Sequence, residues 1–214
     1  MLIWVVRHGE TEANASGVLE GRTDGRLTAS GLDMASEVGR ALEGVTFDAA
    51  FSSPLSRAVE TAQRLLDASG NGGLPIQIDD RLLEVDMGSW EGVHFLPGER
   101  EVDAEQLRLF FEEPYEFLGF PEGEDTRTVC ARTQSFLREL ALASYEKVLI
   151  TMHGFALRAM LNQLYDDPTD FWQSGVPLNC TVSIVEAIDG HLKLVNADKV
   201  LYDQLRCVDR YSIY

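Results

Sequence analysis

Basic charge is what this chain has least of. Lysine and arginine together number 18 against 35 aspartates and glutamates, a formal net charge of −17. Binding to nucleic acid rests on neutralising phosphates with a basic surface, so no nucleic-acid partner is expected. The same deficit argues against an anionic membrane surface. Long apolar runs are missing as well, and nothing approaches the roughly 18 residues that would span a bilayer. The amino terminus has no basic segment followed by an apolar core, so no secretion signal is expected. Cysteine is sparse: Cys130, Cys180 and Cys207 are widely spaced and odd in number. That pattern suits neither a disulfide framework nor a zinc site, and reduced thiols in the cytoplasm are expected. No carboxylate cluster or His/Cys spacing fits a catalytic metal, so neither a metal nor a cofactor is implied.

What is present fits an ordinary globular domain of 214 residues, 45% hydrophobic, long enough for one full core. Apolar runs at 2–7, 47–52, 75–78 and 147–152 read as strands. Between them lie helical patterns. One opens at the cap Thr28 and runs to Leu42. One starts at Ser53-Pro54 and runs to Ala68, and one is capped by Thr126 and runs to about Ser144. Phe155 to Tyr165 is a further helix, and residues 180–195 form a hairpin around Asp189-Gly190. Alternation of this kind predicts a three-layer α/β/α sandwich with a mostly parallel central sheet and one antiparallel edge strand. No linker interrupts it, so residues 1–214 are taken as a single domain. The acidic amphipathic stretch at about 95–125 is expected to form a helical lid.

Chemistry concentrates at strand ends. Leu2-Ile3-Trp4-Val5-Val6 runs directly into Arg7-His8-Gly9-Glu10, and the carboxyl edge of an open α/β sheet is where ligands bind. Arginine offers a planar fork for phosphate, and a neutral imidazole is a competent nucleophile. Gly9 permits a sharp turn and a close approach. The chain has only four histidines, and a second one, His153, also follows an apolar strand and precedes a glycine. Two parallel strands that each deliver His-Gly would face each other across one pocket. Ser52 to Ala58 is a third strand end entering a helix, whose free N–H groups favour an anion, with Arg57 in its first turn. Arginines outnumber lysines fifteen to three, and Arg7, Arg22, Arg26 and Arg57 all lie in the first 60 residues. A phosphate site in so acidic a protein must rest on such a local cluster.

Over nearly its whole length the sequence resembles the histidine phosphatase superfamily, the family of cofactor-dependent phosphoglycerate mutases. The resemblance lies in Arg7-His8-Gly9-Glu10-Thr11 with Asn14, then Asp24, Leu27-Thr28 and Gly31. It continues in Ser52 to Ala58 with Thr61-Ala62, in Glu84 with Gly88 to Gly92, in Pro121 to Glu124, and in Met152-His153-Gly154. It implies that His8 becomes phosphohistidine and that Glu84 is general acid and base. It also implies that Arg7, Arg57 and His153 hold the phosphoryl group, with Asn14, Thr23 and Glu124 as further substrate contacts. Arg26 stands where the family usually has proline, Glu122 where it has glycine and Asp125 where it has serine; Phe155 replaces a common glycine. The acid loop Glu84-Val85-Asp86-Met87-Gly88 looks like the phosphatase branch rather than the mutases, whose insertion is longer. The expected activity is therefore hydrolysis of a small phosphomonoester without a metal. Mutase-type transfer and a non-catalytic phosphoester-binding protein are the competing readings, and a homodimer is left open. Trp90, His94 and Phe95 lie where they would shape a substrate pocket, with core packing the better reading for Trp90.

Overall fold

The computed structural model describes residues 1–95, 102–173 and 175–202; Cys207 lies outside the described residues, as does part of the expected lid. Strands β1 (Leu2–Arg7), β2 (Ala49–Ser52), β3 (Ile76–Ile78), β4 (Lys147–Met152), β5 (Val182–Ile188) and β6 (His191–Lys199) form one sheet in the order β3-β2-β4-β1-β5-β6. The first four strands in that order are parallel, β1 pairs antiparallel with β5, and β5 pairs antiparallel with β6. The antiparallel strand is thus β5, one position in from the edge. The tight turn at Asp189-Gly190, both with positive φ, sends the chain back as β6 outside it.

Side chains alternate across β1. Ile3 and Val5 face one core with Val148 and Ile150, while Trp4 and Val6 face the other with Ala50 and Leu149. A continuous apolar run is what a strand covered on both faces requires. Helices α2 (Ala29–Ala41) and α3 (Ser56–Ala68) pack together on one face, and α5 (Thr126–Leu140) and α6 (Gly154–Leu161) on the other, completing three layers. A short α1 (Glu12–Ser16) follows the first strand.

Two helix starts differ from expectation. Helix α3 begins at Ser56, not at Ser53-Pro54, because its cap comes from a distant loop. Asp24 Oδ1 accepts from the Ser56 N–H at 2.7 Å and from its hydroxyl at 2.8 Å. A carboxylate at that end also complements the helix dipole. Helix α5 is capped by Asp125, which accepts from Thr128 N–H at 2.7 Å, while Thr126 is its first helical residue. Aspartate and serine are both good caps, which accounts for Asp125 in the serine position.

The acidic stretch supplies one helix, α4 (Ala104–Glu112). It displays an Arg108 ion-pair cluster outward and buries Leu107 and Phe110. Phe110, Phe117 and Phe120 join Trp90, Phe155, Phe171 and Trp172 in one buried aromatic cluster. Trp90 is therefore a core residue, with its ring 5.2 Å from Phe120.

What approaches Gly9 closely is backbone. A Cβ there would sit 2.5 Å from Gly31 O, and one on Gly31 would sit 2.2 Å from Glu10 O. This contact presses the start of α2 against the His8 turn. Gly31→Ala is expected to lower stability by about 1–3 kcal/mol, the usual cost of overpacking. Urea unfolding with an unchanged m-value checks it; an unchanged midpoint would show that the two segments move apart freely.

Candidate active site

Strands β1 and β4 end in register, with Arg7 opposite Met152, so His8 and His153 leave adjacent strand ends. Their ring centroids are 5.2 Å apart. Both rings are buried. His8 Nδ1 lies 2.7 Å from Gly9 O. A carbonyl only accepts, so Nδ1 carries the proton and Nε2 keeps its lone pair. His153 Nε2 lies 2.7 Å from Ser53 Oγ, which also accepts from Leu55 N–H at 3.4 Å. His153 Nδ1 is a buried atom with no hydrogen-bond partner. Burial first, then the guanidinium of Arg57 and to a lesser extent Arg7, holds both imidazoles well below the ordinary histidine pKa.

Arg7 is buried, with Nη1 donating to Pro177 O. Arg57 is fully buried, donating from Nη1 to Thr23 O at 2.7 Å and from Nη2 to Gly21 O at 2.6 Å. Its Nε has no hydrogen-bond acceptor, and Glu20 Oε2 lies 3.8 Å away. Asn14 Oδ1 is held by Asn179 Nδ2 at 2.9 Å and Thr11 N–H at 3.3 Å.

Glu84 sits at the amino end of α6. Its Oε2 accepts from Phe155 N–H at 3.1 Å, and its Oε1 from Ala156 N–H at 2.9 Å and Val85 N–H at 2.8 Å. Those bonds and Arg57 favour the carboxylate, but burial outweighs them and raises its pKa. The backbone of Glu84 is clamped by Arg132 Nη2 at 2.9 Å and Arg22 Nε at 3.2 Å.

A cleft with about 490 Å³ of unfilled space, including solvent at its mouth, is lined by Arg7, His8, Asn14, Glu20 and Glu84 together with apolar side chains. His153 and Arg57 are fully buried, the His153 ring 5.2 Å from that of His8. Two expected substrate contacts lie elsewhere. Thr23 is exposed, and its carbonyl serves Arg57. Glu124 binds Arg22, Arg132 and the Asp86 N–H, so it braces the Glu84 loop instead of facing the cleft.

The family model for the histidine phosphatase superfamily, branch 1, matches residues 3–199. The chain belongs to the histidine phosphatase superfamily. It is 33% identical over 165 residues to a 2,3-bisphosphoglycerate-dependent phosphoglycerate mutase of Afipia carboxidovorans, covering 75% of this chain and 79% of that one. It is 31% identical over 186 residues to the adenosylcobalamin/alpha-ribazole phosphatase of Escherichia coli, covering 86% and 89%. Among solved structures, Bacillus stearothermophilus YhfR superposes with a TM-score of 0.83 at 29% identity, covering 93% of this chain and 97% of that one. Superfamily relatives thus include both phosphatases and mutases.

Several participants in this histidine phosphatase site carry no clear sequence signal. Glu20 reads as a solvated loop carboxylate, yet its side chain is 3% exposed, accepting from Thr11 Oγ1 at 2.7 Å. Ser53, which bonds His153 and Leu55, and Asn179, which donates to His8 O and Asn14 Oδ1, act through hydrogen bonds that no spacing announces. Glu91 ties the 21–23 loop by accepting from the N–H groups of Gly21, Arg22 and Thr23. It lies within the Gly-Ser-Trp-Glu-Gly stretch, which was the available hint.

The two depressed histidines link the site to stability. The unfolded chain protonates them near pH 6.5 while the folded chain does not. Their contribution is full above that pH and is lost as pH falls toward the folded values, at up to about 1.4 kcal/mol per pH unit for each group. The urea midpoint should therefore fall between about pH 7 and about pH 5.5, and a His8→Gln/His153→Gln double variant should fall less steeply. Parallel curves for the two proteins would contradict this.

Proposed function

We propose that this chain is a phosphomonoesterase that works through a phosphohistidine on His8. The observation that carries this reading is the His8 ring itself: neutral, with Nδ1 committed to Gly9 O and Nε2 left as a nucleophile beside Arg7 and His153. In the first half-reaction His8 Nε2 attacks phosphorus and the bond from phosphorus to the ester oxygen breaks. Glu84, whose pKa burial raises, enters this step protonated and gives its proton to the leaving alkoxide. In the second, the Glu84 carboxylate takes a proton from water. The water oxygen attacks phosphorus, the P–N bond breaks, and inorganic phosphate leaves with His8 restored. Phosphoryl transfer has a loose transition state, so positioning and charge supply most of the rate. Here the charge comes from Arg7 and Arg57, with His153 and Asn14 as further contacts, and the scheme requires no metal. Hydrolysis rather than mutase transfer is favoured by the apolar wall of the cleft, which offers little to a second phosphate or a carboxylate. Intact His8, Glu84 and His153 favour catalysis over a merely binding role.

Wild-type protein quenched during turnover should carry one acid-labile phosphoryl group, in EDTA as well as without it. His8→Ala should carry none and should lose turnover by about 10³-fold or more, as expected for a lost nucleophile. Full activity in His8→Ala would end the covalent scheme.

A proton donor matters most when the leaving group is basic. Glu84→Gln should slow alkyl phosphates by about 10²–10⁴-fold, the usual range for general acid catalysis. With nitrophenyl phosphate it should retain a burst of nitrophenolate followed by a slow steady state, since water attack still needs the base. Equal small losses for both substrates would assign the proton to another group.

A further inference from the structure

The lining of the cleft is aromatic to a degree that phosphate chemistry does not require. Phe95, Phe110, Phe111, Phe155 and Trp172 all line it. Their rings are ordered in two near-parallel pairs: Phe110 on Phe155 at 13° and 5.4 Å, and Phe111 on Trp172 at 30° and 5.9 Å. Phe110 and Phe155 are buried, whereas Phe111 is half-buried and so meets whatever enters.

Charge in the cleft points the same way. Among its described lining residues Arg7 is the only cation, and it adjoins the nucleophile. Arg22, the next basic side chain nearby in sequence, is engaged by Glu124 and the Glu84 carbonyl. Facing the cleft instead is Glu20, fixed by Thr11 at 2.7 Å and lying 3.8 Å from Arg57. A substrate carrying a carboxylate or second phosphate would meet this buried carboxylate, and among the described lining residues only Arg7, beside His8, is a cation that could receive the added charge. The net charge of −17 repels such polyanions at longer range as well.

We propose that the cleft selects phosphomonoesters of an aromatic alcohol with no anionic group besides the phosphate, Phe111 and its neighbours seating the ring and Glu20 excluding a second anion. This rests on the phosphomonoesterase reading and gives it a substrate class. An aromatic ring in an apolar slot gains by burial and by offset or edge contacts. Glu20 acts as a specificity-determining residue, since rejecting a competitor needs a repulsive element as well as an attractive one.

The test compares three esters with similar alkoxide leaving groups, so that intrinsic reactivity does not decide the outcome: 2-phenylethyl phosphate, ethyl phosphate and 3-phosphoglycerate. Wild type should prefer 2-phenylethyl phosphate over each of the others by about tenfold or more in kcat/KM, a typical reward for filling an apolar pocket. Phe111→Ala should reduce the preference for phenylethyl over ethyl phosphate about tenfold, and Phe111→Leu should reduce it by less. Glu20→Gln should raise 3-phosphoglycerate relative to 2-phenylethyl phosphate. Calorimetric binding of the same esters to His8→Ala reads selectivity without turnover. If no ester is hydrolysed but 2-phenylethyl phosphate still binds tightest, the enzymatic reading fails and the selectivity stands. Equal use of all three esters by wild type, or ratios untouched by both Phe111→Ala and Glu20→Gln, would overturn the proposal.

Discussion

The register of β1 against β4 carries the site. Arg7 lies opposite Met152, so the next residue on each strand is a histidine, and the two rings meet 5.2 Å apart. A one-residue slip would turn every side chain of β1 to the other face. Ile3 and Val5 would then leave the core they share with α5 and α6, and His8 would no longer meet His153. The hydrophobic alternation that fixes the sheet therefore also fixes the chemistry, with no separate device needed to bring the imidazoles together. The same strand end sets the third group. β4 runs through His153 straight into α6, and the first N–H groups of that helix hold Glu84.

Glu84 is caught between opposing demands. The helix end and Arg57 favour its charge, and burial opposes it. In the proposed scheme such a group gives up and retakes a proton within one turnover. Arg132 and Arg22 steady its backbone, and Glu124 holds those two arginines in place. Buried charges here come as compensated sets. Arg57 is answered by two carbonyls and Glu20, so the protein avoids the penalty of an isolated buried cation.

The strands that deliver the histidines were legible because they are continuous apolar runs halted by His-Gly. Helix α2 was legible because Thr28 is a local cap, accepting from Gly31 N–H at 3.0 Å. The start of α3 was not, since its cap, Asp24, lies 32 positions upstream. At α5 two adjacent cap formers competed, and aspartate took the role. The motif residues His8, His153, Arg7, Asn14 and Glu84 converge as their order along the chain implied. Glu124 was assigned to substrate because a motif gives neighbourhood without direction; its partners are arginines. Phe95 lines the cleft as its place in the sequence suggested, but Glu20 and the Phe110-Phe111 part of the aromatic wall were invisible for a related reason. A lone glutamate in a polar loop reads as solvated and a phenylalanine pair in a helix reads as core, until tertiary packing shows which space they face.

The sheet order has a consequence for biosynthesis. β1 is the first of the six strands to be made, yet it lies between β4 and β5, which are made well over a hundred residues later. Until then it has neither neighbour, and its apolar Leu2–Val6 stretch has both edges and both faces uncovered. Contacts this distant in sequence also make for slow closure. The growing chain thus carries this apolar strand unpaired until β4 and β5 are made. A net charge of −17 would oppose association between such incomplete chains.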